Sequence, residues 1–172
     1  CFKDVQPIEK CTFNTTGIDE VEFLFSANAG EKEKSLAKTI SGGEMSRFML
    51  AIKNVFAATD DVELLVFDEI DSGVSGEIGY KVGQKLAVLS KKYQIICITH
   101  LPQVTALADC FINIKKYTEN NHTKSVASYL DNEQLIEYLT SLFGSNKSQA
   151  GLLHAQELLD MATTYKSELN KL

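Results

Sequence analysis

Two acids stand side by side at the end of an apolar run: Leu64 to Phe67 leads directly into Asp68 and Glu69. The plain reading is that polar residues often open the loop after a strand. The chemical reading assigns Asp68 to magnesium, directly or through its water, because that ion takes oxygen ligands and borrows one or two carboxylates. Glu69 would then orient and deprotonate a water, and a positioned general base is worth about 10² to 10⁴ in rate. A second apolar run, Ile95 to Ile98, ends in Thr99 and His100. An imidazole on the same sheet edge as the acids would face the same ligand and donate a hydrogen bond to a terminal phosphate. His122 and His154 have no such company and receive no role.

Ser41-Gly42-Gly43-Glu44 supports two readings at once. Ser-x-x-Glu is a capping box, with Ser41 at the N-cap, Glu44 at N3, and Ile40 and Met45 in the hydrophobic-staple positions. A cap leaves the two glycines unexplained, since each is a poor helix former. Side-chain-free amides at a helix N-terminus make a surface that an anion can approach closely. This helix start is therefore expected to be both a cap and a phosphate site. Behind the acids, residues 70–76 (IDSGVSG) read as a turn with Ser75 as the next N-cap, and also as a loop able to touch a partner subunit.

The elements that must position these residues follow from periodicity. A helix is expected over about 42–58, with Met45, Phe48, Ile52, Val55 and Phe56 on one side. Residues 63–67 form a near-continuous apolar strand, as when both faces are covered. A helix over about 75–90 buries Ile78, Val82, Leu86 and Leu89; a strand over 94–99 and a short helix after Pro102 follow. Upstream, 21–25 reads as a strand paired with one near 11–14, and 28–38 as a loop. Downstream come two strands, 109–116 and 124–130, around a polar turn at 119–122, then helices over about 132–143 and 148–171. The alternation of helix and strand in the middle implies an α/β fold, a mostly parallel sheet flanked by helices. Ligands of such sheets lie beyond the carboxyl ends of the strands, where Asp68, Glu69 and His100 stand.

Composition bounds the rest. The 172 residues, 44% hydrophobic and 23% charged, suit a single domain over 1–172 with a sizeable core. No apolar run approaches the roughly 18 residues of a membrane span, and no charged-then-apolar leader opens the chain. The four cysteines form no C-x-x-C pair, which removes a zinc or redox motif and leaves a reduced, cytoplasmic compartment as the expectation. Cys97, inside an apolar run, is a core residue. The net charge of −6 speaks against a broad nucleic-acid face on this segment. A start at Cys1 rather than methionine suits an excised piece.

In this order the four pieces resemble the C-terminal half of ABC-type ATPase heads. SGGEMSR (41–47) looks like their signature motif, LLVFDE (64–69) like Walker B, Asp71 like the D-loop acid and His100 like the switch histidine. Each part alone is weakly specific; the combination is highly specific. A transporter would more typically show LSGGQ followed by Gln-Arg, so a transporter nucleotide-binding subunit stands as the alternative. Glu44 with Ser46-Arg47 is similar instead to the SMC branch that acts on chromosomes. Within that branch, 21–47, FDEIDSGVSG and THLPQV resemble bacterial proteins of DNA double-strand-break repair, from about Gly17 to the closing helices. Gln134 and Thr140 depart from this pattern, standing where arginines are expected, and Thr105 replaces an alanine.

The resemblance implies the C-terminal lobe of a P-loop NTPase head that uses ATP and Mg2+. It implies Glu69 as general base, Asp68 at the metal and His100 at the γ-phosphate. Ser41, Gly42, Gly43 and Glu44 would meet the nucleotide of a second copy, with Asp71 supporting the dimer contact. The phosphate grip G-x-x-x-x-G-K-S/T has no counterpart here, since the chain contains no Gly-Lys dipeptide. An N-terminal P-loop lobe, a second copy, and DNA reached through the longer protein are the implied partners, in the bacterial cytoplasm at the nucleoid, with no membrane. The expected geometry puts Asp68, Glu69 and His100 on one rim and the glycine pair on a separate exposed surface. A non-catalytic module that merely keeps this fold is the rival from another class.

Overall fold

The computed structural model describes residues 15, 17, 21–26, 30, 32–36, 40–56, 61–119, 122–144 and 148–171. Contacts group the chain into two units, Cys1–Ile40 and Ser41–Leu172. In the first, β1 (Leu24–Phe25) pairs antiparallel with β2 (Lys34–Ser35). The strand expected near 11–14 lies outside the described residues, and β2 falls inside what was expected to be loop.

The second unit carries the chemistry. Helix α1 (Gly42–Phe56) leads to β3 (Leu64–Phe67), α2 (Gly76–Leu89), β4 (Gln94–Cys97) and the short α3 (Pro102–Thr105). Strands β3 and β4 are parallel and in register from Leu64↔Gln94 to Phe67↔Cys97, with α2 as the crossover. One continuous core forms on one side of this pair, where Leu65 and Phe67 meet Leu50, Ile70, Val82, Leu86, Leu89, Tyr93 and Val104. The other side is bare: Leu64, Val66, Ile96 and Ile98 are all exposed, Val66 by 60%. The expected cover of helices is thus present on one face alone among the described residues.

Two helix stripes differ from the periodic reading. In α1, Leu50 is buried while Val55 and Phe56 are exposed, because the helix packs through its earlier turns. In α2, Ile78 is exposed and glycines 79 and 83 are buried instead. A Cβ on Gly83 would sit 2.7 Å from Leu107 Cδ1 and 3.2 Å from the Gln103 carbonyl oxygen, so the small residue lets α3 and its following turn lie directly on the helix.

Beyond α3, β5 (Ile112–Glu119) and β6 (His122–Tyr129) form an antiparallel hairpin, followed by α4 (Asn132–Leu142) and α5 (Gln149–Leu169). Two of the three departures named above, Gln134 and Thr140, find local uses. Gln134 completes a capping box: its Oε1 accepts from the Asp131 N–H while its own N–H donates to Asp131 Oδ1. Thr140 is buried, its hydroxyl donating to the Ile136 carbonyl at 2.7 Å. The described architecture is α/β, and among its helices none is long and apolar enough to cross a membrane.

Candidate functional site

Parallel, in-register strands end together, so β3 and β4 deliver their following residues to one edge. The Ile98 N–H donates to the Phe67 carbonyl at 2.9 Å, carrying the pairing up to Asp68 on one side and Thr99 on the other. Asp68 and Glu69 are exposed there, and His100 leaves the same edge with its side chain 74% exposed. Asp68 Oδ1 accepts from the Glu69 N–H at 2.9 Å. Glu69 sits at φ +56°, a left-handed conformation that a residue with a Cβ adopts only when its surroundings impose it.

Those surroundings are α1. Ser46 Oγ donates to the Asp68 carbonyl at 2.8 Å, and Arg47 Nη1 donates to the carbonyls of Ser72 at 2.6 Å and Ile70 at 3.2 Å. Neither residue was given a role from sequence. Both lie in the 41–47 motif, three and four places past Gly43, the spacing that puts them on its side of a helix. Gly43 is buried under the same loop: a Cβ there would meet Ser72 Cβ at 2.6 Å and the Glu69 carbonyl oxygen at 2.9 Å.

The helix start is capped as expected. Ser41 Oγ donates to Glu44 Oε2 at 2.9 Å, the Ser41 N–H reaches the same oxygen at 3.0 Å, and the Glu44 N–H returns to Ser41 Oγ at 3.4 Å. The N–H and then the hydroxyl of Ser41 stabilise the carboxylate, which holds Glu44 below the usual carboxylate range. The expected separation of glycines from acids is not found. Gly42 is exposed, but a Cβ on it would stand 3.0 Å from Glu69 Oε2, and Gly43 is packed against the loop after Glu69. Close backbone approach explains Gly43 before any ligand does.

Asp71, expected to support the contact with a second copy, is 3% exposed in this chain. Its Oδ2 accepts from Thr99 Oγ1 at 2.6 Å and the His100 N–H at 2.8 Å, and lies 3.0 Å from His100 Nδ1. Burial alone would raise its carboxyl; the hydrogen bonds from Thr99 and His100 together outweigh it and hold the group below its ordinary value. Cys97, half-buried on β4, has its thiol pushed up to about 12 by burial first and then by the charges of Asp71 and Asp68.

Among the described residues no cluster of three or more His, Cys, Asp or Glu side chains forms a ready-made metal cage. The ligand assigned to a metal is the exposed carboxylate of Asp68 at a strand end, next to that of Glu69. That fits an ion such as magnesium, which keeps waters and takes its remaining oxygens from bound phosphates.

Comparison with known proteins agrees with the motif order. The chain is 44% identical over 160 residues to the DNA repair protein RecN of Treponema pallidum, which covers 92% of this chain and 28% of that protein. It is 42% identical to RecN of Halalkalibacterium halodurans over 158 residues and 40% identical to RecN of Bacillus subtilis over 163, covering 91% and 94% of this chain and 28% of each relative. No family model matches. A chain from a structural study of ATP-driven dimerization and DNA-stimulated activation of SMC ATPases overlays loosely, at TM-score 0.43 and 26% identity over 70% of each chain. This chain is similar to the DNA repair protein RecN over about nine-tenths of its own length, and it spans 28% of the length of these relatives.

Proposed function

We propose that this chain is the C-terminal lobe of an SMC-like ATPase head in a protein of DNA double-strand-break repair. The observation that carries the reading is the shared edge: two acids from β3 and a histidine from β4, at parallel strand ends, beside a glycine-started helix. The relatives' names support the repair role.

On this reading Glu69 orients and deprotonates the attacking water, and its exposed position leaves room for that water. Asp68 would hold Mg2+, which when bound offsets charge on the ATP phosphates. His100 reaches the γ-phosphate. Ser41 and Gly42, at the open start of α1, meet the nucleotide of a second copy, with Gly43 packed beneath them and Glu44 holding the cap. The loop carrying Asp71 supports the dimer contact through its exposed residues, Ser72 and Gly73. A P-loop lobe completes the site, and the bare apolar face of β3 and β4 suits such a neighbour. ATP binding pairs two heads, hydrolysis releases them, and DNA is reached through the longer protein, in the cytoplasm at the nucleoid. This chain alone, with no Gly-Lys dipeptide, is inactive.

The test is to mix the chain with a matching P-loop lobe and follow labelled ATP. Magnesium-dependent binding by the mixture and by neither part is the expected result. A mixture that binds no ATP although the two parts associate would defeat the reading.

A further inference from the structure

Asp71 sits three residues beyond Asp68, buried, and bonded to the residue that leaves the site edge on the neighbouring strand. Resting on the ATPase reading, we propose that Asp71 is a positioning residue that holds His100 with its proton on Nδ1, so that Nε2 is the nitrogen presented to the nucleotide.

The geometry favours this assignment. An ionised carboxylate accepts hydrogen bonds and donates none. Oδ2 of Asp71 receives hydrogen bonds from Thr99 Oγ1 at 2.6 Å and the His100 N–H at 2.8 Å, and His100 Nδ1 lies 3.0 Å from the same oxygen as a charge contact rather than an aligned hydrogen bond. A bare lone pair on Nδ1 would face the negative oxygen, so a proton on that nitrogen is the stabilised arrangement. Thr99 braces the arrangement from the other side, its hydroxyl oxygen accepting from the Leu101 N–H at 3.1 Å. Backbone and ring of His100 are thus tied to one oxygen that is itself buried, while the rest of the imidazole faces outward. A partner on one ring nitrogen decides what the other nitrogen can do.

The chemical consequence is specific. A neutral His100 in this tautomer offers a lone pair at Nε2 and can accept from a water, but it has nothing to donate to a phosphate oxygen. Donation to the γ-phosphate needs a second proton, on Nε2, and the resulting imidazolium keeps Asp71 as its counter-charge. The neutral form with its proton on Nε2 would set a lone pair against the Asp71 carboxylate and is disfavoured.

The full-length protein, labelled with ¹⁵N in histidine and with His100→Gln identifying the signal, tests this directly. Long-range ¹H–¹⁵N spectra of the neutral ring should show Nδ1 protonated in the wild type. In Asp71→Ala no acceptor is left beside Nδ1, and the Nε2-protonated form should become the main neutral one. Turnover of Asp71→Ala should fall at least about tenfold with KM for ATP little changed, and adding it to His100→Gln should cost nothing further. A wild-type ring protonated on Nε2, an unchanged tautomer in Asp71→Ala, or a full additional loss in the double variant would each overturn the proposal. If Asp71→Ala fails to fold, the wild-type tautomer decides alone. A wild type that hydrolyses no ATP would count against the ATPase reading and leave the tautomer result standing.

Discussion

Two hydrogen bonds and the nearby His100 ring converging on one oxygen of Asp71 make that residue sensitive to acid. Its folded value lies below the ordinary 3.8, so its stabilising effect is complete above that value and is lost as pH falls through the folded value. Urea melts of wild type and Asp71→Asn should therefore differ most above the ordinary carboxylate value and converge as pH falls below it. A gap that stays constant as pH falls would refute the link. Cys97 gives a second check at this scale. With its thiol near 12, almost no thiolate exists at pH 8, and native-state alkylation should leave Cys97 unmodified. Sequence placed Asp68, Glu69 and His100 at the right strand ends, because apolar runs followed by polar residues are a local pattern. It did not foresee the burial of Asp71, because partners 28 and 29 positions away leave no local trace.

At the scale of elements, α1 and the loop after β3 behave as one piece. Ser46, Arg47 and Gly43 all meet residues 68–72, and the pair of glycines divides into unlike members. Gly43→Ala pushes a methyl into Ser72 Cβ and the Glu69 carbonyl and should cost about 1 to 3 kcal/mol in urea unfolding. Gly42→Ala meets only the tip of the Glu69 side chain, which can swing away, and should leave stability nearly unchanged. Equal losses for the two would refute the packing account of Gly43. The capping box was legible from Ser-x-x-Glu, a rule that works within one turn. The buried stripes of α1 and α2 were less so: Val55, Phe56 and Ile78 fit the period, but which glycines touch a neighbouring element is decided by tertiary packing.

For the molecule as a whole, the unequal faces of the β3–β4 pair are the main finding. Alternating helices and strands correctly announced a parallel pair with a crossover helix. Apolar residues on both faces announced cover on both, and one cover is absent among the described residues. The sequence records what each face needs, without recording which chain segment supplies it. Val66→Lys with Ile96→Lys should make this chain more soluble while abolishing its association with a P-loop lobe, measured by co-purification. Undiminished association would place the contact elsewhere.

The central claim is that the acid following Asp68 activates water for ATP hydrolysis. Single-turnover hydrolysis by the full-length protein with Glu69→Gln measures it most directly, because ATP binding and bond cleavage are read separately. ATP should bind with Mg2+ as in the wild type while cleavage slows by about 10² to 10⁴. Cleavage at the wild-type rate by a normally folded Glu69→Gln protein would contradict the account.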